Sequence, residues 1–242
     1  HPAIREMHVA SSLGAEEEAR RWRGSIPEQA LPATKGQQFP LAPHAVQIPP
    51  AYLEQVILRR GSTRRFAQQP IALAQLSTIL HCATRGIPAD FLDPPGSALN
   101  EVYLIANAVE GLPGGAYYYR RDQERLELLR EGDFRQDAGY LGLEQELPAD
   151  ASVDVFFLAG LNPVLQQFGN RGYRAAQLEA GIMGGKMYLA AYALGLGASG
   201  LTFYDDEVAE FFSPHAKGKS TMLLLALGKS ARAASKTSLE NN

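Results

Sequence analysis

One cysteine, Cys82, stands in 242 residues, so no intramolecular disulfide can form and a reducing compartment is the default expectation. An excess of positive charge is also missing. Twenty-three Lys and Arg against 26 Asp and Glu give a formal net charge of -3 and a pI near 6.0, the wrong balance for a general nucleic-acid binder. No apolar run is long and clean enough for a membrane span. The most apolar stretch, Ala175 to Leu201, is broken by Glu179, Lys186 and six glycines, whereas a span needs about 20 apolar residues. The segment His1 to Arg23 is polar, with acids at Glu16, Glu17 and Glu18, and lacks the pattern of a secretory leader. These absences together predict a cytoplasmic protein. The chain opens on His1 rather than Met, as a processed chain or a piece of a longer one would.

Metal and serine-hydrolase chemistry find no support either. The five histidines (1, 8, 44, 81 and 215) form no i, i+4 pair and have no cysteine at metal spacing, so no metal is assigned. His81 reads as a structural residue within a helix. No G-x-S-x-G elbow is present.

What is present reads as one α+β domain behind an arm. Residues 1–48 are rich in Pro, Gln and Ala and predict a short helix near Ala15 to Arg23. An extended arm follows from Leu31 to Pro50, able to wrap over the body or a partner. The body spans 49–230, and 231–242 form a tail. Tyr52, Leu53, Val56 and Ile57 recur at helical spacing before Gly61, and Leu73, Leu76, Ile79, Leu80 and Ala83 mark a second helix from Ala72 to Thr84. Residues 86–100 read as a loop. Val102 to Val109 predicts a strand, and Ala116–Tyr119 with Leu126–Leu129 a hairpin. Phe134 to Leu143 comes next as a helix, then Val153–Ala159 as a strand and Tyr173–Leu194 as a long helix. Gly200–Phe203, Asp205–Phe212 and Thr221–Leu227 close the chain as strand, helix and strand. Helices and strands intermix without a βαβ repeat, which favours α+β over a doubly wound sheet.

Two nucleotide-like motifs fail on context. Gly195-Leu196-Gly197-Ala198-Ser199-Gly200 fits G-x-G-x-x-G, but it follows a predicted helix and leads into a strand, the reverse of a dinucleotide fold. Gly218-Lys219-Ser220-Thr221 resembles the end of a P-loop, yet Ser213 stands where its opening glycine belongs and a strand follows instead of preceding it.

Three segments survive. Arg59-Arg60-Gly61-Ser62-Thr63-Arg64-Arg65-Phe66 sets four arginines in seven residues at a helix end. Guanidinium forks match phosphate, and Ser62 can add a hydrogen bond. The same cations would also suit a solvated helix C-terminus. In the long helix, Gly181, Gly184 and Gly185 each cost about 1 kcal/mol against Ala. Close approach of a backbone or a flat ligand would offset that, and so would a tightly packed core helix. Ala198-Ser199-Gly200-Leu201-Thr202-Phe203 is a small-residue segment whose backbone N–H groups could face a ring.

Taken in order and spacing, these pieces resemble the nitroreductase superfamily of FMN enzymes, and more closely its SagB-type branch, which includes azoline oxidases of thiazole/oxazole peptide biosynthesis. The resemblance covers about Leu41 to Lys229. It rests on R-x-S-x-R at Arg60, Ser62 and Arg64, V-E-G-L-P-G-x-x-Y from Val109 to Tyr117, R-G-Y-R-x-x-x-L-E-A-G from Arg171 to Gly181, and the glycine-rich end of the long helix. It implies a mixed, mainly antiparallel sheet flanked by helices in an interlocked homodimer, with FMN at the subunit interface. Arg60, Gly61, Ser62 and Arg64 would hold the flavin phosphate and ribityl chain, completed by Lys229 or Arg232. Ser199, Gly200, Leu201 and Thr202 would line the ring. Pro95, Gly96 and Ser97 would approach from the other subunit.

The sequence departs from that pattern twice. The branch's P-S-A-G before A-L is here Pro94-Pro95-Gly96-Ser97-Ala98-Leu99, so the serine hydroxyl is shifted or lost. Azoline oxidases carry a catalytic Lys-Tyr before R-G-Y-R, where this chain has Gln167-Phe168, and neither residue acts as acid or base near neutral pH. The leading expectation is therefore an FMN oxidoreductase moving hydride by a ping-pong mechanism from a reductant such as NAD(P)H to a small molecule. A peptide-tailoring azoline dehydrogenase and a non-catalytic flavin-binding module are the alternatives.

Overall fold

A computed structural model describes residues 1–25, 36–43 and 53–231. Much of the predicted arm, and the tail from Arg232 on, therefore lie outside the described residues. In chain order the elements are α1 (Pro2–Ala10), α2 (Glu16–Arg21), β1 (Gln38–Pro40), α3 (Leu53–Arg59), β2 (Ile71–Ala72), α4 (Leu73–Thr84), β3 (Asn100–Ala106), β4 (Val109–Glu110), β5 (Gly115–Arg120), β6 (Arg125–Glu131), α5 (Arg135–Leu141), α6 (Glu146–Asp150), β7 (Val153–Ala159), α7 (Leu161–Phe168), α8 (Arg171–Ala193), β8 (Gly197–Leu201), α9 (Asp205–Phe211) and β9 (Ser220–Gly228).

The strands form a seven-stranded sheet in the order β1-β6-β5-β3-β7-β9-β8, every neighbouring pair antiparallel, with a separate parallel β2–β4 pair. This is the α+β, mainly antiparallel architecture expected. Alternation along the strands supplies two apolar faces. Val102, Leu104, Val155, Phe157 and Leu225 meet Leu76, Ile79 and Leu80 of α4 and Ala176, Met183 and Met187 of α8. Tyr103, Ile105, Phe156, Leu158 and Leu224 meet Val208 and Phe212 at α9 and Ala138 and Leu141 of α5. Ile79 and Leu80 are fully buried, each worth roughly 1.5–3 kcal/mol of apolar transfer. Helices on both faces make β7 a run of seven buried residues, Asp154 among them.

Several boundaries move. The predicted 102–109 strand breaks after Ala106, because Asn107 and Ala108 both donate to the Ser152 carbonyl. The strand expected at Gly200–Phe203 is β8, Gly197–Leu201, paired with β9 through Gly197–Gly228 and Leu201–Leu224. The helix near Ala15 is present as α2, preceded by α1, which the sequence pattern did not announce. The described part of the arm packs on the body. Trp22 stacks on Phe91 at 4.5 Å and donates to the Phe168 carbonyl, and β1 pairs with the edge of β6.

Candidate functional site

The arginine-rich segment is built into the β8 edge of the sheet. α3 lies on α8, where the Arg59 guanidinium and the Tyr192 hydroxyl donate to the carbonyls of Tyr192 and Gly61 respectively. The chain then runs extended past β8 and the end of β9. Thr63 N–H donates to the Ala198 carbonyl, Ala67 N–H to that of Lys229, and Ala231 N–H to that of Arg65. Thr63 and Phe66 point inward and are buried, while Arg60, Ser62, Arg64 and Arg65 are exposed. The R-x-S-x-R spacing is the period of an extended chain. With Thr63 turned into the protein, the residues either side of it turn out.

Close approach holds this segment in place. A β-carbon on Gly197 would fall 2.2 Å from Thr63 Oγ1 and 2.4 Å from Ser230 Oγ, inside any tolerable contact. Gly197 therefore lets the arginine segment lie flat on β8, and Gly195 before it turns the chain out of α8 with φ of +75°. The G-x-G-x-x-G match is thus a helix exit and an edge strand.

Tyr188 of α8 is the centre that the motif reading passed over. Its hydroxyl accepts the Gly200 N–H and lies 3.3 Å from Ser62 Oγ, and the Arg60 guanidinium sits 5.9 Å from its ring centroid. A cation, a hydroxyl, a phenol and an edge-strand amide thereby converge on one surface. Helical phase carried the available signal, since Gly181, Gly185, Tyr188 and Tyr192 recur at steps of four, three and four.

The other predicted residues take different places around this surface. Gly61 is exposed and bonded through its carbonyl to Tyr192, and Lys229 closes β9 beside Ala67. Gly200 faces Tyr188. Ser199 alternates to the opposite side of β8 and is buried, so only its backbone borders the cluster. Leu201 packs half-buried against the apolar layer under α9. Thr202 is exposed and accepts from Gln145 Nε2 at 3.4 Å. Arg232 lies outside the described residues.

Pro95, Gly96 and Ser97 form a tight turn beside Gly86, with Ser97 Oγ donating to the Pro94 carbonyl at 2.7 Å. None of the turn's hydrogen bonds among the described residues reaches the Arg60–Arg64 segment. Glu179 of α8 fixes the chain just beyond this turn. Its carboxylate accepts the N–H groups of Leu99 and Asn100 and the Asn100 side-chain amide at 2.8–2.9 Å. Burial raises its pKa, opposed by those hydrogen bonds. Gln167 and Phe168, at the Lys-Tyr position of azoline oxidases, serve structure. Phe168 is buried against Trp22 and Phe91, and Gln167 lies against Gly24. Lys219, from the P-loop-like match, is buried against Glu101 and Tyr103.

Residues 57–229 match the model of the nitroreductase family, and the chain belongs to that family. It is 28% identical over 164 residues to a Methanocaldococcus jannaschii protein named as a nitroreductase, covering 65% of this chain and 82% of that one. A solved nitroreductase-like structure from Anabaena variabilis aligns with a TM-score of 0.75 at 26% identity over 94% of this chain. This chain spans only 47% of that protein's length. Two more distant structures share the fold. One is the Escherichia coli microcin synthetase McbBCD complex with truncated pro-MccB17 bound (TM-score 0.60, 18% identity, 95% and 92% of the two chains). The other is a Desulfovibrio desulfuricans nitroreductase-like protein in complex with FMN (0.52, 17%, 78% and 93%). No helix among the described residues is long and apolar enough to cross a membrane.

Proposed function

We propose that this nitroreductase-family chain is an FMN-dependent oxidoreductase that works as a homodimer, with the flavin phosphate on the Arg60–Ser62–Arg64 surface. The observation that carries the reading is the outward array of Arg60, Ser62 and Arg64 beside Lys229, pinned to the β8 edge by the Gly197 contact in a chain of net charge -3. Exposed guanidinium groups and a serine hydroxyl are the donor set a phosphate monoester wants. Bound flavin supplies reversible two-electron transfer, and the chain's own residues bind and orient it. Arg60, Arg64 and Lys229 oppose the phosphate charge, Ser62 and Tyr188 donate from one side, and the Gly200–Thr202 backbone borders the ring.

The second subunit is argued from α8. Leu178, Gly181 and Gly185 are exposed on one helix face, and a β-carbon at either glycine would meet nothing within 4 Å. A second copy across that face would bring its Pro95–Ser97 turn toward the flavin. NAD(P)H is the proposed reductant and a small molecule the acceptor. Peptide tailoring is the weaker reading, because the Gln167-Phe168 position is consumed by packing against the arm.

The test is FMN titration of apoprotein with Arg60→Ala beside wild type, then anaerobic NADPH. Loss of one charged hydrogen bond, about 1–3 kcal/mol, predicts about fivefold to 150-fold weaker binding. Wild-type holoprotein should bleach with NADPH and recover in air. Full flavin occupancy in Arg60→Ala would overturn the phosphate assignment, and flavin that no reductant or oxygen cycles would leave a binding module.

A further inference from the structure

A second site lies across the sheet from the arginine segment, between β6 and the α9–β9 connection. It is a cleft of about 630 Å³ walled by Leu128, Leu129, Phe211, Phe212 and Pro214, within the usual size of small-molecule pockets. Five strand spacings separate β6 from β8, about 24 Å at ~4.8 Å each.

His215 gives this cleft its chemistry. The residue is 9% exposed and lines the cleft, and its Nε2 is buried with no hydrogen-bond partner among the described residues. Its tautomer is set by the chain of groups behind it. Lys219 Nζ lies 2.6 Å from Glu101 Oε2 and 2.7 Å from Tyr103 Oη, and Tyr103 Oη lies 2.9 Å from His215 Nδ1. An ammonium group only donates, so Tyr103 accepts from Lys219, and of the two acceptors left for its own proton His215 Nδ1 at 2.9 Å is nearer than the His215 carbonyl at 3.3 Å. Burial keeps that phenol protonated and, with the Lys219 charge adding, keeps the imidazole neutral. With Nδ1 as the acceptor, the ring hydrogen sits on Nε2, which is buried and without a partner among the described residues on a residue that lines the cleft. A buried donor left so is costly unless something accepts from it.

Arg130 adds the charge. Its guanidinium lies 4.6 Å and 4.4 Å from the ring centroids of Phe134 and Phe211, and it takes part in no ion pair among the described residues. The acid that also lines the cleft, Glu127, is engaged by Arg120 at 2.7 Å, and both are nearly buried. We propose that this cleft binds a small aromatic or branched-chain carboxylate. Its acid group would meet the His215 Nε2 hydrogen and Arg130, and its body would lie against Phe211, Phe212 and Leu128.

The probe is 4-fluorobenzoate, titrated by 19F NMR against FMN-saturated protein. Saturable binding is expected, with at least about tenfold weakening in both His215→Phe and Arg130→Gln and no binding of 4-fluorotoluene. Arg60→Ala, tested at saturating FMN, should leave the probe's affinity unchanged. The proposal is overturned if no saturable binding occurs, if both cleft variants bind as wild type, or if affinity falls with Arg60→Ala instead. Should His215→Phe fail to fold, Arg130→Gln on the exposed rim decides alone.

Discussion

Asp154, the second residue of β7, should make the protein less stable as pH rises, and Asp154→Asn should remove that loss. The carboxyl group is fully buried on the sheet face beneath α5 and α9. Asn107 Nδ2 donates to Oδ2 at 3.2 Å, while Asp154 Oδ1 and Asn107 Oδ1 both lack a donor among the described residues. A proton on Asp154 removes a buried charge that Oδ1 would otherwise carry with no donor among the described residues. Burial raises the group's pKa well above the ordinary carboxylate value, with the Asn107 hydrogen bond and the Arg135 charge opposing it less strongly. The folded state then holds a proton that the unfolded chain releases near pH 4, so stability falls above that point by about 1.4 kcal/mol per pH unit until the folded carboxyl ionises. Asparagine presents an N–H donor at every pH and has no such dependence. Urea unfolding followed by far-UV circular dichroism, from about pH 4 to 7 at fixed protein and FMN concentration, measures the difference between the two proteins. Buried Glu179 contributes a slope of the same sign to both and cancels. The stability of Asp154→Asn minus that of wild type should climb from near zero by about 1.4 kcal/mol per unit. A difference that stays flat across that range would refute the buried-proton argument.

Two further substitutions test how the Arg60 segment and the Pro95–Ser97 turn are held. Gly197→Ala places a methyl 2.2 Å from Thr63 Oγ1; it should cost about 1–3 kcal/mol by overpacking and weaken FMN binding, with Thr63→Ala in the same chain recovering part of both. Glu179→Leu strips acceptors from two backbone N–H groups and the Asn100 amide, which should cost about 3 kcal/mol in thermal unfolding. Glu179→Gln keeps an oxygen where all three donors converge and should stay within about 1 kcal/mol of wild type.

The elements legible in the sequence were those whose own residues decide them. Strand β7 and helix α4 carry their burial in composition and period, and both were read nearly to their ends. The elements missed or shifted are decided elsewhere in the chain. Strand β8 was expected but with its bounds shifted, because it is glycine-rich with poor intrinsic propensity and its register comes from β9. Strand β1 is three residues long and exists only against β6. Helix α7 was not expected from the sequence, where Pro163 and Gly169 flank a short segment. Yet Pro163 sits in the first turn, where its missing N–H is harmless, and Gly169 supplies the positive φ that ends the helix. At the candidate site, Arg60, Ser62 and Arg64 were readable from spacing. Tyr188 was not, because helical phase puts it on the face of Gly181 and Gly185 but gives it no partner until Gly200 and Ser62 are folded onto it.

Gly181, Gly184 and Gly185 in the middle of α8 carry the last step, because packing within the chain explains only one of these three. A β-carbon on Gly184 would strike Leu223 Cδ2 of β9 at 2.6 Å, so helix-on-sheet packing requires that glycine. Gly181 and Gly185 face open space beside exposed Leu178, where alanine would fit and would stabilise the helix by about 1 kcal/mol each. A chain standing alone gains nothing from glycine there. A helix crossed closely by a second copy does, because only hydrogen leaves room for the approaching backbone. Gly181→Ala/Gly185→Ala separates the two situations by sign. If the face is free, the double variant melts higher, by an amount equivalent to about 2 kcal/mol, and its mass in solution is unchanged. If the proposed homodimer forms there, the variant dissociates at higher protein concentration than wild type and loses FMN affinity with it, since the Pro95–Ser97 turn would then no longer reach the flavin of the other subunit. A higher melting temperature with unaltered association would remove α8 as the interface and with it the shared flavin site.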